Sequence, residues 1–290
     1  MTIYIKLFLT AVFWGGTFIA ARVVAQDVGP FSASFLRFVV ASLFLMIFTR
    51  HFEGKIPLLK LHQVIPVVLL GMTGVFAYNF FFFSGLKIIL ASRASLIIAT
   101  NPIFIALFAF AFFGEKLHAR NTLGIFLCSS GAIVVISRGS PLMIFQGALG
   151  LGELYIIGCV ISWVTYSLVG KVAMKDMSPM AAVTYSCIIG TIALFFPAYH
   201  EGMIGDIVNY TPVDWFGICY LGFFGSVIGF TWYYQGIKEI GAGRAGIFIN
   251  FVPISAVILA YFILKENIDV SLIVGATMVI SGAYLTNRRF

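Results

Sequence analysis

The stretch Gly85-Leu86-Lys87-Ile88-Ile89-Leu90-Ala91-Ser92-Arg93-Ala94-Ser95, followed by Pro102 and Glu115, returns later in the chain. It reads there as Gly236-Ile237-Lys238-Glu239-Ile240-Gly241-Ala242-Gly243-Arg244-Ala245-Gly246, followed by Pro253 and Glu266. Every matched pair is separated by 151 positions. The register runs on: Gly124 and Ser130-Gly131-Ala132 match Gly275 and Ser281-Gly282-Ala283. Upstream, Trp14 and Pro30 match Trp163 and Pro179 at an offset two residues shorter. Shared residues in one register exceed what an apolar composition alone produces. The chain is a duplication.

Of its 290 residues 61% are hydrophobic and 10% charged, and the mean hydropathy is +1.04. A soluble domain keeps about a quarter of its residues charged, so lipid must solvate most of this chain. Apolar runs long enough to span a bilayer fall at 3–24, 32–49, 64–85, 91–113, 122–137, 149–170, 180–199, 213–235, 243–264 and 270–286. The first run is longer than a signal-peptide core and nine like it follow, so it is kept as a span. The expected fold is therefore an all-α membrane protein of ten transmembrane helices, with one five-helix repeat over 1–140 and a second over 147–290. Five is odd, so the two copies must enter the bilayer in opposite orientation. Inverted repeats leaning alternately against a site near the midplane are a common plan of secondary transporters.

Charge sets the orientation. With a cytoplasmic N-terminus, twelve of the eighteen Lys and Arg fall on cytoplasmic connections and five on the opposite ones, and Arg37 stands inside the second span. This bias is the positive-inside pattern and places both termini in the cytoplasm. The same scatter argues against nucleic acid, which needs a clustered basic face. Cys128, Cys159, Cys187 and Cys219 lie in or beside apolar runs with no C-x-x-C and no nearby His, so inert thiols are expected rather than a metal site. No cofactor is expected.

The pieces also resemble a family. The aromatic first span Phe13-Trp14-Gly15-Gly16-Thr17 is one; Pro30-Phe31-Ser32-Ala33-Ser34-Phe35-Leu36-Arg37-Phe38, leading into the second span, is another. A fourth span with Pro102 and a terminal Gly114-Glu115, repeated as Pro253 and Glu266, completes the set. With the five-plus-five layout, the chain resembles the EamA type of the drug/metabolite transporter superfamily over essentially its whole length. The resemblance implies a cavity lined by spans 1–4 and 6–9, with spans 5 and 10 as peripheral supports. It also implies export of amino acids and related metabolites, or movement of sugars, nucleotide sugars and other solutes. Two departures stand out: Lys265-Glu266 replaces Gly-Glu, and Ser186 stands where Arg37 has its repeat position.

Pro102 and Pro253 are candidate hinges, because a proline frees a backbone carbonyl and bends a helix; a fixed packing kink is the bland alternative. Gly124, Cys128 and Gly131, with Gly275 and Gly282, and the Gly225–Gly229 pair have spacings that suit close helix packing. The candidate substrate-binding residues are Trp163, Tyr166, Tyr78, Asn79, Trp14, Asn101, Arg37 and Asn250. Trp163 and Tyr166 share a face well inside span 6, and buried amides need partners. An aromatic wall with a few polar groups suits an amino-acid-like solute. Arg37 has two readings: it meets a substrate carboxylate, or it anchors the outer end of span 2 by snorkelling or by bonding helix-terminal carbonyls. Glu115 and Glu266 are expected to cap the helix that follows, or to pair with Lys116 and Lys265 or with another segment of the chain.

All eleven carboxylates fall in connections or terminal turns, and His51, His62, His118 and His200 lie at surfaces. A proton relay through lipid usually needs a deep Asp, Glu or His, so facilitated diffusion or exchange is expected. An enzyme would need converging acid–base or metal groups, which are absent from the pattern. The expected protein carries a small polar metabolite across a bacterial inner membrane as an exporter or facilitator, with a monomer as its unit. An importer or exchanger in the same fold, or a lipid flippase, are the alternatives.

Overall fold

The structure is a computed structural model and describes residues 2–113, 119–140, 149–240 and 242–287. All regular structure among them is helical. Seven helices are long and apolar enough to cross a bilayer. They are Ile3–Asp27 (span 1), Pro30–Glu53 (span 2), Leu61–Ile88 (span 3), Ala91–Phe108 (in span 4), Leu151–Ala173 (span 6), Pro179–His200 (span 7) and Pro212–Ile240 (span 8). The shorter apolar helices Arg120–Ile136, Phe251–Leu264 and Val270–Leu285 stand where spans 5, 9 and 10 are expected. Below, the face holding the start of span 1 and the end of span 10 is the near face and the opposite one the far face.

Local sequence sets most helix ends. Pro30 and Pro179 each open a span at the first turn, where a missing N–H costs nothing. Thr211 and Asp214 form a reciprocal capping box in front of span 8. Span 2 stops at Gly54, whose φ of 75° suits a residue without Cβ. Span 9 stops at Lys265, where a φ of 55° puts a side chain in the left-handed region.

Both spans that carry a central proline are interrupted. Span 4 is split into Ala91–Ile98 and Asn101–Phe113, and span 9 into Ala242–Ile249 and Phe251–Leu264. Each first piece ends four residues before its proline, where the ring excludes the i−4 carbonyl from the helix ladder. A second pair of irregularities carries no proline signature. Spans 3 and 8 contain π-helical segments at Gly71–Ala77 and Leu221–Ile228, positions that match in the repeat register. A π segment widens the helix and frees carbonyls that other groups must satisfy.

Glycine contacts show that the repeats are inverted. A methyl on Gly131 would lie 2.9 Å from the Gly275 carbonyl oxygen, and one on Gly282 would lie 2.6 Å from that of Gly124. Gly124 and Gly131 are the repeat partners of Gly275 and Gly282, so each glycine meets the partner of the other. Two antiparallel helices related by a two-fold axis produce such crossed pairs. The relation recurs at the π segments. Gly71 abuts the Ser186 carbonyl and Gly222 that of Arg37, while Gly74 abuts the Tyr166 ring and Gly225 the Thr17 methyl. Small residues at these points let spans 3 and 8 press against the opposite half.

Carboxylates tie the halves together at the membrane faces. On the far face Glu201, after span 7, accepts hydrogen bonds from Phe31 N (3.3 Å), Ser32 N (2.7 Å) and Ser32 Oγ (2.6 Å), capping span 2. Glu266, after span 9, accepts from Ala91 N (2.8 Å), Ser92 N (3.1 Å) and Ser92 Oγ (2.6 Å), capping span 4. Helix N-termini present free N–H groups and a positive dipole end, which suits a carboxylate. On the near face Ser178 Oγ, at the start of span 7, donates to Glu53 at the end of span 2 (2.6 Å). Of the roles expected for Glu266, the structure shows pairing with another segment of the chain. It caps a helix of the other repeat rather than span 10, because the inversion sets the end of span 9 beside the start of span 4. Glu115 and Lys116 lie outside the described residues, as does the side chain of Arg244.

Candidate functional site

Arg37 sits seven residues into span 2, about 10 Å from its far-face end. It is 8% exposed. Its Nη1 donates to Asn79 Oδ1 at 2.8 Å, and its guanidinium carbon lies 5.1 Å from the Phe38 ring centre. Tyr78 and Cys187 are neighbours, and Gly225 of span 8 lies alongside. Nε is buried with no partner. The anchoring expectation is corrected: the side chain neither reaches the surface nor bonds terminal carbonyls. It points inward because span 3 offers it an amide.

Asn79 does two jobs. While Oδ1 accepts from Arg37, Nδ2 donates to Val75 O (2.8 Å) and Gly74 O (3.4 Å), carbonyls of the first π segment. Its amide is thus spent within the protein. The second π segment is served by Trp14 of span 1, whose Nε1 donates across to Gly225 O (2.8 Å), and by Ser226 Oγ, which donates to Leu221 O (3.3 Å). Trp14 packs over Gly229 and beside Tyr233, with ring centres 5.4 Å apart.

Three of the candidate aromatic rings lie in series. Tyr78 lies 5.5 Å from Trp163, and Trp163 lies 5.3 Å from Tyr166, centre to centre. Tyr166 is beside Ser186, and Tyr234 is a neighbour of Tyr166, Tyr233 and Cys187. Arg37, Asn79, Tyr78, Trp163, Tyr166 and Trp14 therefore converge where the two halves cross. Asn101 and Asn250 stand instead at the breaks of spans 4 and 9. Neither caps the helix it opens: Asn101 Oδ1 and Asn250 Nδ2 are buried without partners.

Sequence reading missed several participants. The glycine pairs Gly71/Gly74 and Gly222/Gly225 fit the 151-residue register and were legible there, whereas Thr17 has no matching residue in the repeat. Glu201 and Glu53 gave no such signal, since a carboxylate in a connection looks like any solvated one. A second buried arginine, Arg93, was expected at the membrane surface. It lies at the far-face end of span 4 but is buried, pairing with Glu153 (3.1 Å) and donating to Val135 O (3.1 Å). Arg22 Nη1 donates to Leu86 O nearby. Two surface clefts open on this face, one lined by Arg22, Gln26, Asp27 and Glu266 among others, the other by Asp27, Asp206, Tyr210 and Asp214 among others.

Inverted five-helix halves meeting at a polar and aromatic centre define a multi-pass membrane protein of transporter architecture. Residues 1–137 and 150–288 each match the EamA-like transporter family. The chain belongs to that family, and it is a transporter. An uncharacterized transporter of Bacillus subtilis (strain 168), YyaM, is 32% identical over 97% of this chain and 92% of its own length. A probable terminal-alkyne amino-acid exporter of Streptantibioticus cattleyicolor is 27% identical over 98% of this chain and 92% of its own. A crystal structure 18% identical in sequence shares the fold with a TM-score of 0.65, over 98% of this chain and 96% of that one.

Proposed function

We propose that this transporter moves a small polar metabolite of amino-acid type by alternating access, as an exporter or facilitator, across a bacterial inner membrane with both termini cytoplasmic. The crossed two-fold contacts carry the reading. Arg37, Tyr78, Trp163 and Tyr166 lie at the crossing of two halves that are mechanically alike but upside down. A rocking motion that opens one face has a symmetry-related counterpart that opens the other. Matched breaks in spans 4 and 9, and matched π segments in spans 3 and 8, supply the bends such a motion uses. The polar centre holds ties to both faces, as a closed intermediate of that cycle requires. Support for an amino-acid-like cargo comes from the aromatic side chains beside a cation, and from the similarity to the probable terminal-alkyne amino-acid exporter of Streptantibioticus.

The test is counterflow in proteoliposomes preloaded with a mixture of unlabelled amino acids. Labelled L-phenylalanine or L-methionine is expected to enter faster than into empty liposomes. An imposed pH gradient is expected to drive no uphill accumulation, because among the described residues no carboxylate or histidine lies in the middle of a span to relay protons. Accumulation that follows the proton gradient overturns the facilitator reading; absence of flux for amino acids, nucleosides and sugars alike overturns the small-metabolite reading.

A further inference from the structure

We propose that the cargo carries a carboxylate and that the Arg37 guanidinium is the group that binds it. This rests on the transport reading above and narrows it to one chemical class.

A guanidinium stays charged in a protein, so a buried one must find compensation. Arg93 shows how this chain does it when the role is structural: a carboxylate and a backbone carbonyl take its Nη atoms. Arg37 is equally buried and receives nothing comparable. No carboxylate is paired with Arg37 among the described residues, in contrast to the Arg93–Glu153 ion pair. What faces it among the described residues is neutral: Asn79 and Tyr78 from span 3, Cys187 from span 7, Gly225 from span 8 and Phe38 on its own span. Asn79 takes Nη1, and Nε is left buried without a partner. The planar fork of an arginine matches the two oxygens of a carboxylate.

Symmetry sharpens the assignment. The repeat position of Arg37 holds Ser186, so the duplicated centre carries its cation on one side only. One anionic group is called for, with the Tyr78–Trp163–Tyr166 wall left for the uncharged body of the solute.

The experiment uses the purified full-length protein and probes that differ only in the acid group: L-phenylalanine against L-phenylalaninamide, L-methionine against L-methioninamide, and L-lactate against L-lactamide. Inorganic phosphate serves as the other anion. Members of the acid set are expected to raise the thermal midpoint and the amides and phosphate to leave it unchanged. Arg37→Gln is expected to weaken acid binding at least about tenfold, the loss typical of a hydrogen bond to a charged group. Arg37→Lys keeps the charge without the fork and decides the matter if the glutamine variant fails to fold. It is expected to still reject amides but bind acids several-fold more weakly. Amides or phosphate binding as well as the acids, or acids binding either variant with wild-type affinity, overturns the assignment while proteoliposome flux of neutral solutes would leave the transport reading standing. No response to any probe together with no flux sinks both.

Discussion

Replacing Glu201 and Glu266 by glutamine together is expected to open the far face. Each carboxylate accepts three hydrogen bonds from the first turn of a helix in the opposite half. A glutamine keeps one acceptor oxygen and turns an NH2 toward donors, so at least one N–H or O–H at each tie loses its partner. An orphaned buried donor costs about 1–3 kcal/mol, and the lost charge at a helix N-terminus about 0.3–1 kcal/mol more. At roughly 2 kcal/mol, each substitution shifts the closed-to-open ratio about thirtyfold, and the two ties share no partners, so their effects add. The native thiol of Cys187 reports the shift. It is 3% exposed and lies beside Arg37, so a membrane-impermeant maleimide reaches it only through an open face. In a Cys219→Ser background, with reagent on the far side of oriented vesicles, the labelling rate follows the open population. It is expected to rise in either single variant and further in the double. Glu53→Gln, which loosens the near-face tie to Ser178, is expected to give no such rise. An unchanged rate in a double variant that remains monodisperse refutes the reasoning.

Trp163→Ala is expected to cut amino-acid counterflow while leaving a folded, detergent-stable protein, since the ring contacts Tyr78 and Tyr166 rather than the helix supports. Flux at the wild-type rate removes Trp163 from the wall. Lys265→Gly is expected to stabilise the fold by about 1 kcal/mol, because Lys265 is exposed and holds a left-handed backbone that costs a side chain about that much; a lower thermal midpoint shows that the lysine side chain has a role there. Asp269 caps span 10 through Ser271 Oγ and Leu272 N, both at 2.7 Å. The hydrogen bond from Ser271, then that from the Leu272 amide, holds its carboxyl below the ordinary carboxylate range. A depressed folded-state value stabilises above the unfolded pKa and ceases to as pH falls through the folded one. Asp269→Asn is therefore expected to lose thermal stability at neutral pH but little in strong acid; equal losses at both refute the cap.

Repeat-matched glycines, prolines and tryptophans survive duplication at fixed offsets, so the linear chain alone pointed to two copies in opposite orientation. Hydrophobic runs of bilayer length fix the spans, and Pro102 and Pro253 locate two breaks because a proline's defect is local. Trp163 and Tyr166 were legible together since three residues on a helix share a face. The fate of Arg37 was not. Whether a buried cation reaches outward to water or inward to Asn79 depends on which helix lies opposite, and that is decided when spans 2, 3 and 8 pack. The ties from Glu201 and Glu266 are of the same kind, joining residues 169 and 174 positions apart. Their carboxylates find helix N-termini only after the two halves have closed on each other, because a hydrogen bond acts over about 3 Å of space and is indifferent to distance along the chain.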